Sequence, residues 1–224
     1  MAEVATLPIF GVELDRTQEV APLDVLRRRF DGRYAIDAFG ADPQLQDLIA
    51  PVFSRITPVR VEGAARIPAE GPALLVSNRG TGVLEPTALT AAVRQEVGRR
   101  LRIVGTPELP VIADLLRKFG SIGGYGGDLG AALRAGHLAA LPLGLHWLRN
   151  GGGVPPTDLL VAALGYPVLP VSVRPSGPFG LAFTGWRVLV GEPVLVGAIG
   201  DRDPLSAAEL AEAVRHAVHA LAEP

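Results

Sequence analysis

The sequence predicts an α/β fold, a mixed and mostly parallel sheet flanked by helices, with a pair of helices ahead of it. Three observations carry this expectation. Residues 57–62, 72–77 and 102–105 read as strands, and 72–76 is a short apolar run bounded by Gly71-Pro72 and polar residues, as a strand covered on both faces should be. Residues 87–97, between the second and third runs, place Leu89, Ala92, Val93 and Val97 at helical spacing, so strand, helix and strand follow one another as in a parallel βαβ unit. Apolar residues make up 48% of the 224, enough for one sizeable core.

Composition narrows the classes of function. A net charge of −2 gives no global attraction to nucleic acid, because a phosphate-tracking protein concentrates excess Lys and Arg. With no cysteine and four scattered histidines there is neither a disulfide framework nor zinc spacing, and no metal or cofactor is expected. Glu3, Pro8, Glu13, Asp15 and Arg16 interrupt any export leader, which favours a cytoplasmic protein. The longest apolar window, 159–173, is broken by Gly165, Pro167 and Pro170 and falls short of a membrane span of about 20 residues.

Residues 1–22 read as an extended N-terminal arm and 23–224 as one α/β domain. A first helix starts at Leu23 and puts Leu23, Leu26 and Phe30 on one face, turned toward the sheet. Its run Arg27, Arg28, Arg29 has two readings, a solvated helix face or a weak, salt-sensitive contact with anionic lipid headgroups at the inner face of the membrane. Asp42 and Pro43 cap a second helix over 44–54, with Leu45, Leu48, Ile49 and Val52 as its buried stripe. Residues 109–119 form an amphipathic helix stopped by Gly120, and 128–136 another that also ends in glycine. A short strand over 138–141, a turn at 142–144, a helix from Thr157 to 164, strands over 168–173 and 186–190 and a closing helix from Pro204 complete the chain.

The stretch Ser77-Asn78-Arg79-Gly80-Thr81-Gly82-Val83-Leu84-Glu85-Pro86 joins the second strand to the following helix. Such a turn presents backbone N–H groups and side chains at the carboxyl end of a strand, where open α/β sheets bind ligands. Two glycine-rich patterns suggest nucleotide loops and fail on inspection. The run 120–127 lacks the Gly-Lys-Ser/Thr ending and is followed by Asp128, while Gly80-Thr81-Gly82 has Glu85 where a third glycine belongs. Tight turns are the simpler reading of both.

With its flanks, this stretch resembles the glycerol-phosphate and lysophosphatidate acyltransferase superfamily. The resemblance covers roughly 57–222 and rests on the order of four landmarks. These are Gly63 with Pro68, the strand into Asn78, Pro142 with Gly144, and the passage Gly165-Tyr166-Pro167-Val168-Leu169-Pro170-Val171. In that family a histidine after the Ser-Asn pair deprotonates the acceptor hydroxyl, and an acid a few residues on orients it. Here the histidine position is Arg79, which no protein environment deprotonates, and Glu85 or Pro86 lies near the acid position. Leu143 stands where the family places a glutamate, and the arginine of its phosphate-binding element has no counterpart in 120–127.

The resemblance thus implies an acyltransferase-like protein of phospholipid metabolism whose catalytic motif is lost. The expected binding residues are Asn78, Arg79, Gly80, Gly82, Gly144 and His146, and the expected ligand is a lipid, an acyl thioester or a protein partner. Two alternatives stand beside it: an active acyltransferase with a rebuilt site, using Glu85 or His146 as base, and a structural subunit paired with an intact relative. Arg79 has two readings of its own, an anion holder or an internal ion pair with Glu85.

Overall fold

The structure, a computed structural model, describes residues 5–6, 23, 27–28, 30–31, 34–56, 58–79, 84–105, 110–144, 157–176 and 185–222. Its strands are β1 Ala5–Thr6, β2 Ala35–Ile36, β3 Val59–Glu62, β4 Ala73–Arg79, β5 Leu101–Val104, β6 Ser121–Ile122, β7 Leu138–Gly144, β8 Val168–Pro175 and β9 Trp186–Val190. The helices are α1 Pro43–Ile56, α2 Leu84–Val97, α3 Pro110–Lys118, α4 Gly126–Arg134, α5 Thr157–Ala163 and α6 Pro204–Ala222, with a 3-10 turn at Ala64–Arg66.

Among the described residues β3 to β9 form one sheet in the order β3-β9-β8-β4-β7-β5-β6. Every neighbouring pair is parallel except β8 with β9, whose antiparallel register runs from Val171 opposite Val190 to Pro175 opposite Trp186. The expected mixed, mostly parallel sheet is present. Its central strand β4 alternates between two cores, because successive side chains of a strand point to opposite faces. Ala73 and Leu75 join Ala88, Leu89, Ala92 and Val93 of α2 on one face. Leu74 and Val76 join Leu129 and Leu133 of α4, Leu160 and Ala163 of α5 and Leu210 and Val214 of α6 on the other. This double burial explains why β4 and β8 read as continuous apolar runs rather than as alternating ones.

The helix at Pro43 begins where its signals place it: Asp42 Oδ1 accepts the Leu45 N–H at 2.8 Å, and proline occupies the first position. It packs against α2 and α3. Asp47 of α1 is ion-paired with Arg94 of α2 and, at 2.6 Å, with Arg100 just before β5. Burial, followed by repulsion from Arg100, pushes the Arg94 guanidinium down to about 10, which leaves it charged at neutral pH.

Several boundaries differ from the sequence expectation, each for a local reason. Leu23 and Phe30, expected to face the sheet, are exposed, which corrects the expectation for these two residues, while Leu26 lies outside the described residues. Helix α2 starts three residues before Thr87, and Glu85 and Pro86 lie in its first turn rather than in the loop. Strand β7 continues through Pro142 to Gly144, where a turn was expected. Proline is tolerated there because pairing with β5 stops at Ile103 opposite Ala140, which leaves Pro142 with β4 alone as a strand neighbour. The glycine-rich run 120–127 is divided between the short edge strand β6, a turn and the start of α4.

Helix α6 is capped by Asp203, whose carboxylate accepts the N–H groups of Leu205 at 3.2 Å and Ser206 at 3.1 Å and the Ser206 hydroxyl at 2.9 Å. The Leu205 N–H, then the Ser206 groups, hold this carboxyl below the usual carboxylate range. A depressed folded pKa contributes stability that is present above the ordinary carboxylate pKa and lost as pH falls through the folded value. The melting-temperature deficit of Asp203→Ala is therefore expected at pH 7 and should shrink toward pH 2. A deficit unchanged between the two would contradict the cap assignment.

Candidate functional site

The sheet has a point at which its connections diverge. From β4 the chain crosses through α2 on one face to β5, and from the adjacent β7 it crosses through α5 on the opposite face to β8. Between two neighbouring parallel strands whose crossovers leave on opposite faces, the carboxyl ends part and leave a crevice, where open α/β sheets bind ligands. Here that point lies at the carboxyl ends of β4 and β7. The register sets Asn78 opposite Leu143 and Arg79 opposite Gly144 across it. Two sequence landmarks more than sixty residues apart thus meet at one place.

Asn78 is held rigidly. The backbone ladder between β4 and β8 runs only as far as Ser77 opposite Val171. Beyond it the Asn78 side chain replaces the ladder: Nδ2 donates to the Val173 carbonyl at 2.8 Å, and the Val173 N–H donates to Oδ1 at 2.6 Å. This two-way clamp spends one donor and one acceptor of the amide, leaving a single N–H and an oxygen lone pair for anything bound in the crevice. Leu143 is buried within the core on the α5 face, among Val104, Ile122, Leu129 and Leu159. Its side chain makes that end of β7 apolar on the α5 face.

Glu85 occupies the first turn of α2, where the partial positive charge of a helix start favours a carboxylate. Its Oε2 is buried and has no hydrogen-bond partner among the described residues. A buried acceptor in that condition costs about 1–3 kcal/mol unless something donates to it. The Arg79 backbone ends β4, whereas its side chain lies outside the described residues, as do Gly80, Gly82 and His146. The proposed Arg79 pairing with Glu85 and the two histidine and glycine expectations fall there with them.

The glycines after β6 serve close packing. A Cβ on Gly126, the first residue of α4, would sit 2.4 Å from the Asp158 carbonyl oxygen in the first turn of α5. One on Gly123 would strike the Asp128 carboxylate at 2.0 Å. Glycine here lets two helix starts approach and brings an acid back over the loop, which suits a turn and opposes a phosphate cradle. The Asn78 clamp was not foreseen, since nothing in the local sequence marks a side chain that substitutes for ladder bonds. The helical setting of Glu85 had a readable signal in Pro86, a residue favoured in the first turn.

The described residues define an α/β protein whose sheet is covered on both faces and whose crossovers part at the carboxyl ends of its central strands. No protein-family model matches the chain. It is 30% identical, over 251 aligned positions, to an uncharacterized protein of Mycobacterium leprae (strain TN), with 86% of this chain and 68% of that protein covered. It is 29% identical to uncharacterized proteins of Mycobacterium bovis and Mycobacterium tuberculosis, covering 86% of this chain and 70% of each. The chain belongs to the family of these mycobacterial proteins. Among solved structures, a 1-acyl-sn-glycerophosphate (LPA) acyltransferase from Thermotoga maritima aligns at 17% identity with a TM-score of 0.45, covering 80% of this chain and 82% of that one.

Proposed function

We propose that this is an acyltransferase-like protein of phospholipid metabolism that does not perform acyl transfer with a histidine–acid pair and instead binds a lipid or acyl ligand in the crevice between β4 and β7. The supporting observation is the register that sets Asn78 and Arg79 opposite Leu143 and Gly144, so that both motif positions of the resembled family converge on one site. At that site the base position is arginine and the glutamate position is a buried leucine. A general base contributes about 10²–10⁴-fold, and losing its partners compounds the loss. The ligand's acyl portion would meet the apolar wall at Leu143, and an anionic head group would meet the Arg79 loop.

A second reading is favoured by one observation, the buried and unpartnered Oε2 of Glu85. A carboxylate in that position could take a hydroxyl proton and run a rebuilt acyl transfer, with His146 as the other candidate base. One experiment separates the two. The purified chain is mixed with acyl-CoA and lysophosphatidate, and both free thiol and ligand binding are followed. The expected result is binding without thiol release, weakened about tenfold or more in Arg79→Ala at an unchanged melting temperature. Arg79→His should release no thiol either, since it restores one missing group of several. Thiol release that disappears in Glu85→Ala or His146→Ala would establish the rebuilt enzyme instead.

A further inference from the structure

We propose that three arginines lying side by side on one face of the sheet, Arg174, Arg187 and Arg60, form a binding site for a phosphate-bearing anion. The register aligns them across three adjacent strands: Arg174 of β8 stands opposite Arg187 of β9, and Arg187 stands opposite Arg60 of β3. Side chains in register on neighbouring strands share a face, with Cβ atoms about 5 Å apart. Val59 and Val61 of β3, Trp186 and Val188 of β9 and Val171 and Val173 of β8 all pack in the core that holds α2. Strand alternation therefore turns the three arginines to the opposite face. On that face α6 packs over β8 and β4, and Arg187 and Arg60 beyond it are exposed.

Like charges directly opposite one another destabilise a sheet, so a row of three calls for a counter-charge. Glu62 supplies part of it, accepting from Arg187 Nε and Nη2, both at 2.9 Å. Arg60 has no acidic partner among the described residues. Arg174 donates from Nε to the Ser172 hydroxyl at 3.1 Å and from Nη2 to the Leu221 carbonyl near the end of α6. These bonds fix its guanidinium and leave further N–H groups for a ligand.

Charge selects the occupant. Three guanidinium groups ion-paired to one carboxylate, in a chain whose net charge is −2, are a local concentration of positive charge. The planar fork of arginine takes phosphate oxygens two at a time, and a row about 10 Å long gives a multiply charged phosphate several forks at once. Arg174 follows Val173, which Asn78 clamps, and from there the row leads away from the crevice across β9 to the edge strand β3. The inference does not rest on the reading of the crevice.

The test is calorimetric titration of the full chain with inorganic pyrophosphate, CoA or monomeric lysophosphatidate, at low and high salt. Pyrophosphate has no acyl chain and reads the row by itself. Its binding is expected to weaken with salt, to weaken about tenfold in Arg60→Gln, and to weaken about a hundredfold in Arg60→Gln combined with Arg187→Gln. Glu62→Gln removes the competing carboxylate and should strengthen binding about threefold. Arg117→Gln removes the same charge from an exposed site on α3 and should change nothing. All four side chains are exposed, so melting temperatures without ligand should stay level. Tighter binding of CoA than of pyrophosphate assigns the site to the phosphates of a nucleotide, and tighter binding of lysophosphatidate assigns it to a lipid head group. In either case Arg60→Gln must weaken it. No pyrophosphate binding, binding unchanged in Arg60→Gln and Glu62→Gln, or an equal loss in Arg117→Gln would overturn the proposal. Lysophosphatidate binding that responds to Arg79→Ala and not to Arg60→Gln would leave the crevice reading standing and overturn this one.

Discussion

Asp37→Ala is expected to destabilise the protein by about 3–5 kcal/mol, read as a lowered midpoint in urea at an unchanged slope. Asp37 and its ion-pair partner Arg102 are both buried, each with 3% of its side chain exposed. One carboxylate oxygen of Asp37 accepts the N–H groups of Phe39 and Ala41, both at 2.9 Å, and the other meets Arg102 of β5. The Arg102 Nε and Nη1 find no hydrogen-bond partner among the described residues. The ring of Phe39, 5.4 Å from the guanidinium, supplies only a cation–π contact. Removing the carboxylate therefore strands a buried cation and opens the 37–41 turn at once. Asp37→Leu combined with Arg102→Met should recover most of the loss, because replacing both partners removes the desolvation penalty that a single change exposes. If the double variant is as unstable as Asp37→Ala, the cost lies in the turn and not in the stranded charge. Ligand binding in the folded fraction should be untouched, since Arg102 lies near the amino end of β5, away from the crevice.

How much of this was legible in the sequence depends on what kind of force places each residue. Strands β4 and β8 and helix α1 announce themselves, because continuous apolar runs and an Asp-Pro start are local consequences of burial and capping. The Asp37–Arg102 pair is different. It joins residues 65 apart, and each partner alone looks like an ordinary surface charge. The outward face of Leu23 and Phe30 was misjudged for the complementary reason. Helical spacing identifies an apolar face but says nothing of what lies against it. At the site, the order of the landmarks was readable while their meeting across β4 and β7 was not, since parallel register comes from packing both strands between two helical layers. The continuation of β7 through Pro142 was missed because a proline argues against a central strand until the extent of its neighbour β5 is known.

Gly165→Ala should cost about 3 kcal/mol or more, while Gly136→Ala should cost only about 1–2 kcal/mol, and the contrast tests why the recognisable landmarks persist in this chain. Both glycines have left-handed backbone, at φ +78 and φ +84, so a methyl group strains each by a similar amount. They differ in surroundings. A Cβ at Gly165 would lie 2.1 Å from the Ile199 backbone nitrogen and 2.4 Å from the Ala198 carbonyl carbon, whereas at Gly136 nothing stands within 4 Å. The Gly165 N–H also donates to the Val196 carbonyl at 3.0 Å, and Val168 and Val194 exchange backbone hydrogen bonds at 2.9 and 2.7 Å. The segment after β9 is thereby held against the entry to β8, and an alanine would have to push backbone away from backbone. This junction is at the amino end of β8, opposite the crevice. A folded Gly165→Ala protein should therefore bind its ligand with unchanged affinity while unfolding at a lower urea midpoint. Equal costs for the two glycines would show that φ alone governs position 165. Weakened binding by folded Gly165→Ala would mean that this glycine serves ligand binding as well as the scaffold.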